Sequence, residues 1–444
     1  MEGVDFNETF SPTSRYDTIR TILAIAAQKK FKIKQCDIKT AFLNSDVDEE
    51  IYMQPPPGLI IEADLVCKLR KSLYGLKQSP RCRNKNFSDF LLSFGFIQST
   101  ADPCLFHGVF RSKKVLLVLY VDDVLLLCED KEILDHIMEN MNKNFEATIC
   151  KSGCFVGIEI DQNKDGSIFI HSQAYIKKIL KQFNLEQCNP VSVPADPNVI
   201  LSTEPDAIPE ETDVPYREAV GTLMFLSATT RPDITYSVNL VSRFQNNYSK
   251  IHWNAVKRIM KYLKSTPHHG IQYMPVSECQ NLIGYSDADF AGDMDTRRST
   301  TGYVFMLSNG AITWCTSRQS SVSTSTTESE YIAASTAVKE IMWLRQLLHD
   351  IGETSLCGES VTLFIDNQSA IKLIKNPVYH KRTKHIDIKF HFIREKYQDK
   401  TINIQYINSN EKLADIFTKA LPKDKFQRLR TLINCIDQSI NCMD

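Results

Sequence analysis

Two adjacent aspartates, Asp122 and Asp123, interrupt the most apolar stretch of the chain, VLLVLYVDDVLLLC (115–128). Neighbouring carboxylates repel, and a divalent cation relieves the repulsion while taking the hard oxygen ligands it prefers. The string also fits a plain hairpin tip with both carboxylates in water, although such a tip usually carries Gly or Asn and this one has neither. Asp37, in QCDIKTAFLNSDVDEEIYMQPP, offers a further carboxylate at the end of a short apolar run. A lone Asp there is more often a helix cap than a ligand.

A second set of acids lies downstream. YSDADF sets Asp287 and Asp289 on one face of a strand, and STTESEYIAAS places Glu328 and Glu330 at the start of a long helix. FIDNQSAI puts Asp366 where a strand runs into a helix, and NSNEKLADIFTKAL puts Asp415 on the last helix. Each acid alone reads as a cap or a surface charge.

These side chains need rigid supports, and periodicity supplies them. Apolar spacing predicts helices over 13–30, 80–94, 131–145 and 173–183, and FKIKQCDI alternates as a strand ending at Ile38. Residues 154–172 read as a hairpin around Asn163-Lys164-Asp165-Gly166. Pro190, Pro194, Pro197, Pro205, Pro209 and Pro215 mark 187–215 as a linker. Helical patterns follow over 216–229, 233–246 and 251–264. Strands are expected at 282–287, 301–307 and 311–315, then a helix from Thr326 to Ile351 and a strand over 361–366. Helices from Asn367 and Asp387, a strand near 402–407 and a final helix from Glu411 close the list. Mixed elements in both halves give an α+β or α/β class.

Composition narrows the setting. The 444 residues suffice for two or three domains, and 52 Lys plus Arg against 53 Asp plus Glu leave the chain near neutral. The 13 cysteines are scattered and lack zinc-finger spacing, so free thiols are expected. No secretory leader opens the sequence and no apolar run reaches about 18 residues. A soluble, unexported chain with no membrane partner is therefore expected.

DIKTAFLNSDVDEEIYMQPPPG, KLRKSLYGLKQSPR and YVDD, in that order, resemble the reverse transcriptase of copia-type retrotransposons. The resemblance implies a palm with partial fingers. Asp37 and Asp122 would bind both of two Mg²⁺ (or Mn²⁺) ions, assisted by Asp123, for two-metal phosphoryl transfer. It makes Phe42 the floor under the incoming sugar, where a ring excludes a 2′-hydroxyl. Tyr74, Gly75 and Lys77 would line the nucleotide pocket, with Arg81 nearby. The tract Lys68, Arg70, Lys71, Lys77, Arg81, Arg83, Lys85 is locally basic.

The downstream acids, taken together, resemble ribonuclease H. This implies Asp287, Glu330, Asp366 and Asp415 as ligands of another pair of Mg²⁺ or Mn²⁺ ions, for cutting the RNA of an RNA–DNA hybrid. Glu330 is preferred to Glu328 by the E-Y-I-A-A register. Trp314, Arg318, Lys381, Arg382 and Lys384 are expected to touch the nucleic-acid backbone. His380, His385 and His391 form no zinc set with a cysteine, and RTKHIDI, which the family also carries, reads as a phosphate-facing basic helix. The histidine some relatives keep near the last acid is missing from QYINSNEKLAD.

The matching strings run from Glu8 to about Leu421 and include GTLMFLSATTRPDITYSVNLVSRF and HWNAVKRIMKYLKST. The implied plan is reverse transcriptase over 1–186, the Pro-rich linker over 187–215 and a helical thumb or connection over 216–275. A ribonuclease H-like domain follows over 281–422, then a tail over 423–444. Expected partners are an RNA template, a DNA primer, an RNA–DNA hybrid, deoxynucleoside triphosphates and other Pol products such as integrase. The expected setting is a cytoplasmic virus-like particle or the nucleus. The start at MEGVDFNETFSP falls in the middle of the family's fingers, so an N-terminally truncated polymerase is expected. Cys82 and Arg83 stand where the family has an aromatic. Two readings therefore stay open besides the two-activity enzyme: a catalytically dead remnant that only binds nucleic acid, and a chain active only as a ribonuclease H.

Overall fold

The computed structural model describes residues 8–59, 62, 65–150, 153–203, 214–275, 280–375 and 384–438, with 384–390 described by backbone alone. It divides into two compact units. The first comprises residues up to Ile19 and Phe31–Val156, and the second Arg20–Lys30 and Gly157 onward.

The first unit holds the start of α1 (Tyr16–Lys29), then β1 (Lys32–Ile38), β2 (Tyr52–Met53), β3 (Cys67–Lys68) and α2 (Ser79–Ser93). After these come β4 (Ile97–Gln98), β5 (Leu105–Phe110), β6 (Lys113–Tyr120), β7 (Asp123–Cys128), α3 (Lys131–Phe145), β8 (Ala147–Ile149) and β9 (Cys154–Phe155). One sheet runs in the order β4-β5-β6-β7-β1-β8. Val115–Leu119 and Val124–Cys128 are buried throughout, which is why their sequence is a continuous apolar run rather than an alternation. α3 begins where Asp130 accepts a 2.8 Å hydrogen bond from the Glu132 amide. Its Ile133, Ile137, Met141 and Phe145 fall on one face and join the core with Phe87, Leu91 and Phe106.

The second unit starts with β10 (Ile158–Gln162), β11 (Ile168–His171), α4 (Gln173–Gln182), α5 (Tyr216–Thr229), α6 (Thr235–Ser242), α7 (Lys250–Ser265) and β12 (His269–Tyr273). It continues with β13 (Ile283–Asp289), β14 (Thr300–Leu307), β15 (Gly310–Arg318), α8 (Thr326–Asp350), β16 (Val361–Ile365), α9 (Gln368–Lys375) and α10 (Lys384–Gln398). β17 (Ile402–Tyr406), α11 (Lys423–Leu432) and β18 (Cys435–Asp437) complete it. A mixed sheet runs β15-β14-β13-β16-β17, with β13, β16 and β17 parallel and β13, β14 and β15 antiparallel. α8 packs against β13 and β14. The class is thus α+β, as the mixture of patterns predicts.

Several segments depart from their expected form, for identifiable reasons. The 154–172 hairpin forms, and its β11 also pairs with β12, which pairs with β18. The segment expected as a C-terminal tail therefore contributes a helix and a sheet strand. The helix expected over 233–246 is a 3₁₀ turn, Pro232–Ile234, followed by the shorter α6. The cause is a buried fork: Arg231 donates to Asp233 at 3.0 and 2.8 Å and to the Thr266 carbonyl at 2.9 Å. Of the expected linker, 204–213 lies outside the described residues. Its first part is fastened to α7, with Lys264 donating to the Cys188 carbonyl at 2.6 Å and Arg258 paired to Asp196 at 3.2 Å. Asp415 is not on the last helix. It sits in a 3₁₀ turn, Leu413–Phe417, because Pro422 cannot continue a helix and α11 starts only after it.

Gly302 lets that turn approach the sheet. A Cβ at Gly302, which faces Asp287 across β13 and β14, would lie 2.6 Å from Thr418 Cγ2 and 2.8 Å from Phe417 Cβ. Gly302→Ala is expected to destabilise the protein by about 1–3 kcal/mol through overpacking, measured by urea unfolding. A loss below about 0.5 kcal/mol, within the range of ordinary surface changes, would show that the turn does not need this close approach.

Two candidate carboxylate centres

In the first unit, the antiparallel register of β1 and β7 sets Asp37 opposite Asp123. β6 and β7 close on the Tyr120–Asp123 pair, leaving Val121 and Asp122 as the turn. Val121 takes a left-handed φ of 51°, which is costly for a β-branched residue and is where a plain hairpin would place Gly. The turn is held to β1 by the Ile38 amide, which donates to the Asp122 carbonyl at 2.9 Å. Asp122 Oδ2 accepts from the Tyr74 hydroxyl at 3.4 Å, while its Oδ1 is buried with no hydrogen-bond partner. The Phe42 and Tyr74 rings meet edge to face at 4.6 Å. Phe42 and Tyr74 thus lie beside the acids, and Gly75 turns the same loop with a φ of 96° just ahead of Lys77 and α2.

The electrostatics of this centre are those of crowded, half-buried acids. Burial raises the Asp123 carboxyl above its usual range, and Asp37 and Asp122 add to the effect. Burial also raises Asp122, opposed by Arg83 and Tyr74 and reinforced by Asp37. Arg83 is 2% exposed. Its guanidinium carbon lies 4.4 Å from the Phe87 ring centroid, and its side-chain nitrogens have no hydrogen-bond partner. Burial pulls it down to about 10 even with Asp122 nearby. Three further members of the basic tract are paired with acids. Lys68, Lys71 and Arg81 pair with Glu50, Asp46 and Asp48, so the acids of DVDEE neutralise them.

In the second unit, parallel β13 and β16 bring Asp287 and the end of β16 to the same side of the sheet, and α8 adds its first turns. Ligand atoms of Asp287, Glu330 and Asp366 all lie within 4.8 Å of one another, a hard-oxygen set suited to a divalent cation. Among the described residues no other such trio is found. Glu330 is buried at 6% exposure. Glu328 instead serves the helix start: Ser325 caps α8 by accepting from the Glu328 amide at 3.2 Å, and the Glu328 carboxylate accepts from the Thr324 amide at 2.8 Å. Asp415 joins through lysines, 2.9 Å from Lys419 and 2.5 Å from Lys425. Thr418 donates to Asp287.

At the centre is a residue that the sequence did not single out. Lys412 is fully buried, with its Nζ 2.6 Å from Asp287 Oδ1, 3.1 Å from Glu330 Oε1 and 2.6 Å from Asp366 Oδ1. Burial alone would raise Asp287, but Lys412 and Lys419 overcome it and hold the carboxyl well below its usual range. Burial and Asp287 push Glu330 well up, against Lys412. Lys419, four residues after Asp415, fits a helical spacing rule. No spacing rule points to Lys412.

The expected backbone contacts fare differently. Trp314 is a core residue: its indole donates to the Ser227 carbonyl at 2.8 Å and Arg20 stacks 3.8 Å from its ring centroid. Arg318 pairs with Asp293 at 3.0 Å. His380, Lys381 and Arg382 and the side chains of Lys384 and His385 lie outside the described residues, and His391 is exposed on α10. No described helix is long and apolar enough to cross a membrane.

Comparison with known proteins gives concordant matches. Residues 1–197 match the family model described as reverse transcriptase (RNA-dependent DNA polymerase). The chain is 40% identical over 442 residues to the retrovirus-related Pol polyprotein from transposon TNT 1-94 of Nicotiana tabacum, covering 97% of this chain and 33% of that protein. It is 32% identical over 310 residues to the putative transposon Ty5-1 protein YCL074W of Saccharomyces cerevisiae, covering 69% of this chain and all of that one. The chain spans about a third of the length of the Pol polyproteins it matches first. A crystal structure of LC11-RNase H1 in complex with RNA/DNA hybrid aligns with 31% of this chain and 94% of its own, at 15% identity and a TM-score of 0.24, too low to argue from.

Asp289, two residues beyond Asp287 on β13, gives this centre a pH signature. Burial raises it to about 6, and a hydrogen bond from the Thr300 amide only partly offsets this. Between about pH 4 and 6 the unfolded chain gives up this proton before the folded one, so this contribution to stability falls as pH rises. Asp289→Asn should therefore gain on the wild type across that window, from near zero at pH ~4 to about 2–3 kcal/mol above pH ~6. Urea unfolding of both proteins at stepped pH tests it, and parallel stability curves would rule it out.

Proposed function

This chain belongs to the reverse transcriptase family of copia-type retrotransposon Pol polyproteins, and from that membership we propose that it is an RNA-directed DNA polymerase with ribonuclease H activity. The polymerase reading rests on one observation, the register that sets Asp37 opposite Asp123 with Asp122 in the turn between β6 and β7. The ribonuclease H reading is supported by the Asp287, Glu330 and Asp366 set.

Asp37, Asp122 and Asp123 would hold two divalent ions in one unit, and Asp287, Glu330, Asp366 and Asp415 two in the other; the acids present fit Mg²⁺ or Mn²⁺. When bound, such ions supply the charge that lowers the barrier to attack on phosphorus and steadies the leaving oxygen. The protein's own part is positioning. In the first unit, packed strands fix the aspartates, and Tyr74 orients Asp122 through its hydroxyl. Phe42, braced by Tyr74, would meet the sugar of an incoming deoxynucleoside triphosphate and turn away a 2′-hydroxyl. In the second unit, Thr418 and Lys419 orient Asp287, and Ser409 orients Asp366 by donating at 2.8 Å. RNA template, DNA primer and RNA–DNA hybrid are the partners this reading requires.

A second reading, a chain that binds nucleic acid without cutting it, is favoured by the lysine at the centre of the second set. Primer extension on an RNA template and cleavage of a labelled RNA–DNA hybrid, both with Mg²⁺, separate the two readings. Asp122→Asn should cut DNA synthesis by roughly 100- to 1,000-fold with hybrid cleavage intact, and Asp366→Asn the reverse. Equal loss of both activities in either variant would contradict separate centres, and a wild type inert in both assays would favour the non-catalytic reading. Phe42→Ala should raise the share of ribonucleotides incorporated by about tenfold or more, in line with the loss of one steric contact. An unchanged discrimination ratio would remove Phe42 from the sugar site.

A further inference from the structure

We propose that the Lys412 ammonium is a resident cation of the Asp287–Glu330–Asp366 centre, and that a divalent ion enters only by displacing it. This rests on the reading of these acids as metal ligands. An ammonium has N–H donors for three acceptors, and Lys412 has one oxygen each of Asp287, Glu330 and Asp366 around it at 2.6, 3.1 and 2.6 Å. Mg²⁺ sits about 2.0–2.1 Å from its oxygens and Ca²⁺ about 2.3–2.6 Å. An ion bridging the same three oxygens would therefore overlap Nζ, so the two occupants exclude each other.

The lysine is also an incomplete occupant. Asp287 Oδ2 is served by Thr418 and Asp366 Oδ2 by Ser409, but Glu330 Oε2 is buried with no hydrogen-bond partner. A buried, unpaired carboxylate oxygen is costly. A metal ion with six or more ligand positions can take that oxygen, and an ammonium already engaged by three acceptors cannot. The competition thus weakens metal affinity without abolishing it. Lys412 acts on the reaction through the ligands and is a positioning residue.

The test uses the full-length protein and Mn²⁺ as probe, with binding followed by electron paramagnetic resonance. The Mn²⁺ bound at this centre is the part that Asp366→Asn removes while the first unit keeps its own, and Lys412→Gln should bind that part at least tenfold more tightly than the wild type. An affinity of that Asp366-dependent part in Lys412→Gln equal to or below wild type would overturn displacement and leave the metal-site reading standing. Absence of site-specific Mn²⁺ in both the wild type and Lys412→Gln would overturn both. Lys412→Gln leaves three acids without their cation and can fail to fold, so a measurement on the wild type stands beside it. Acetic anhydride should label Lys412 faster when Mn²⁺ is bound, read by peptide mass spectrometry, because the displaced amine leaves its buried site. Unchanged labelling with Mn²⁺ bound would also overturn displacement.

Discussion

Carboxylates gathered in a low-dielectric interior repel one another, and the second unit is organised around relieving that repulsion. Taking one such ion out of water costs several kcal/mol even after relaxation. Asp287, Glu330, Asp366 and Asp415 share one end of the β13–β16 sheet because Lys412, Lys419 and Lys425 stand among them. The 3₁₀ turn Leu413–Phe417 follows Lys412 directly and precedes Thr418 and Lys419, so one short segment carries Asp415 and much of the balancing charge. Gly302 lets that segment lie close to the sheet.

The first unit meets the same constraint by other means. Asp37, Asp122 and Asp123 are only half-buried or less, and solvent takes part of the charge. Arg83 is the nearby buried cation, yet it stacks on Phe87 and leaves its donors without hydrogen-bond partners. Its influence on Asp122 acts at a distance, unlike the direct ion pairs of Lys412. The left-handed Val121 adds backbone strain at the turn, and the continuous apolar strands on either side absorb it.

Both centres share one design. A strand fixes a carboxylate, an adjacent strand or helix brings the next, and the surrounding core locks the arrangement. On the function proposed above, such an arrangement would serve phosphoryl transfer, where positioning is most of what a protein supplies.

The sequence alone determined the elements and most of the acids. Apolar runs around Asp122, the 3.6-residue spacing of Lys131–Phe145 and the E-Y-I-A-A register at Glu330 are local patterns, and local patterns survive in a single chain read end to end. The resemblance favours Glu330 over Glu328, and it is Glu330 that stands with Asp287 and Asp366. What only the tertiary structure decided lies in contacts between residues distant in sequence. Trp314 reads as a contact to the nucleic-acid backbone and is buried under Arg20, and Lys68, Lys71 and Arg81 of the basic tract are paired with acids at 46–50. Lys412 carries no periodic or motif signal, because what makes it central is the meeting of β13, α8 and β16 around one ammonium, and only three-dimensional packing brings those elements together.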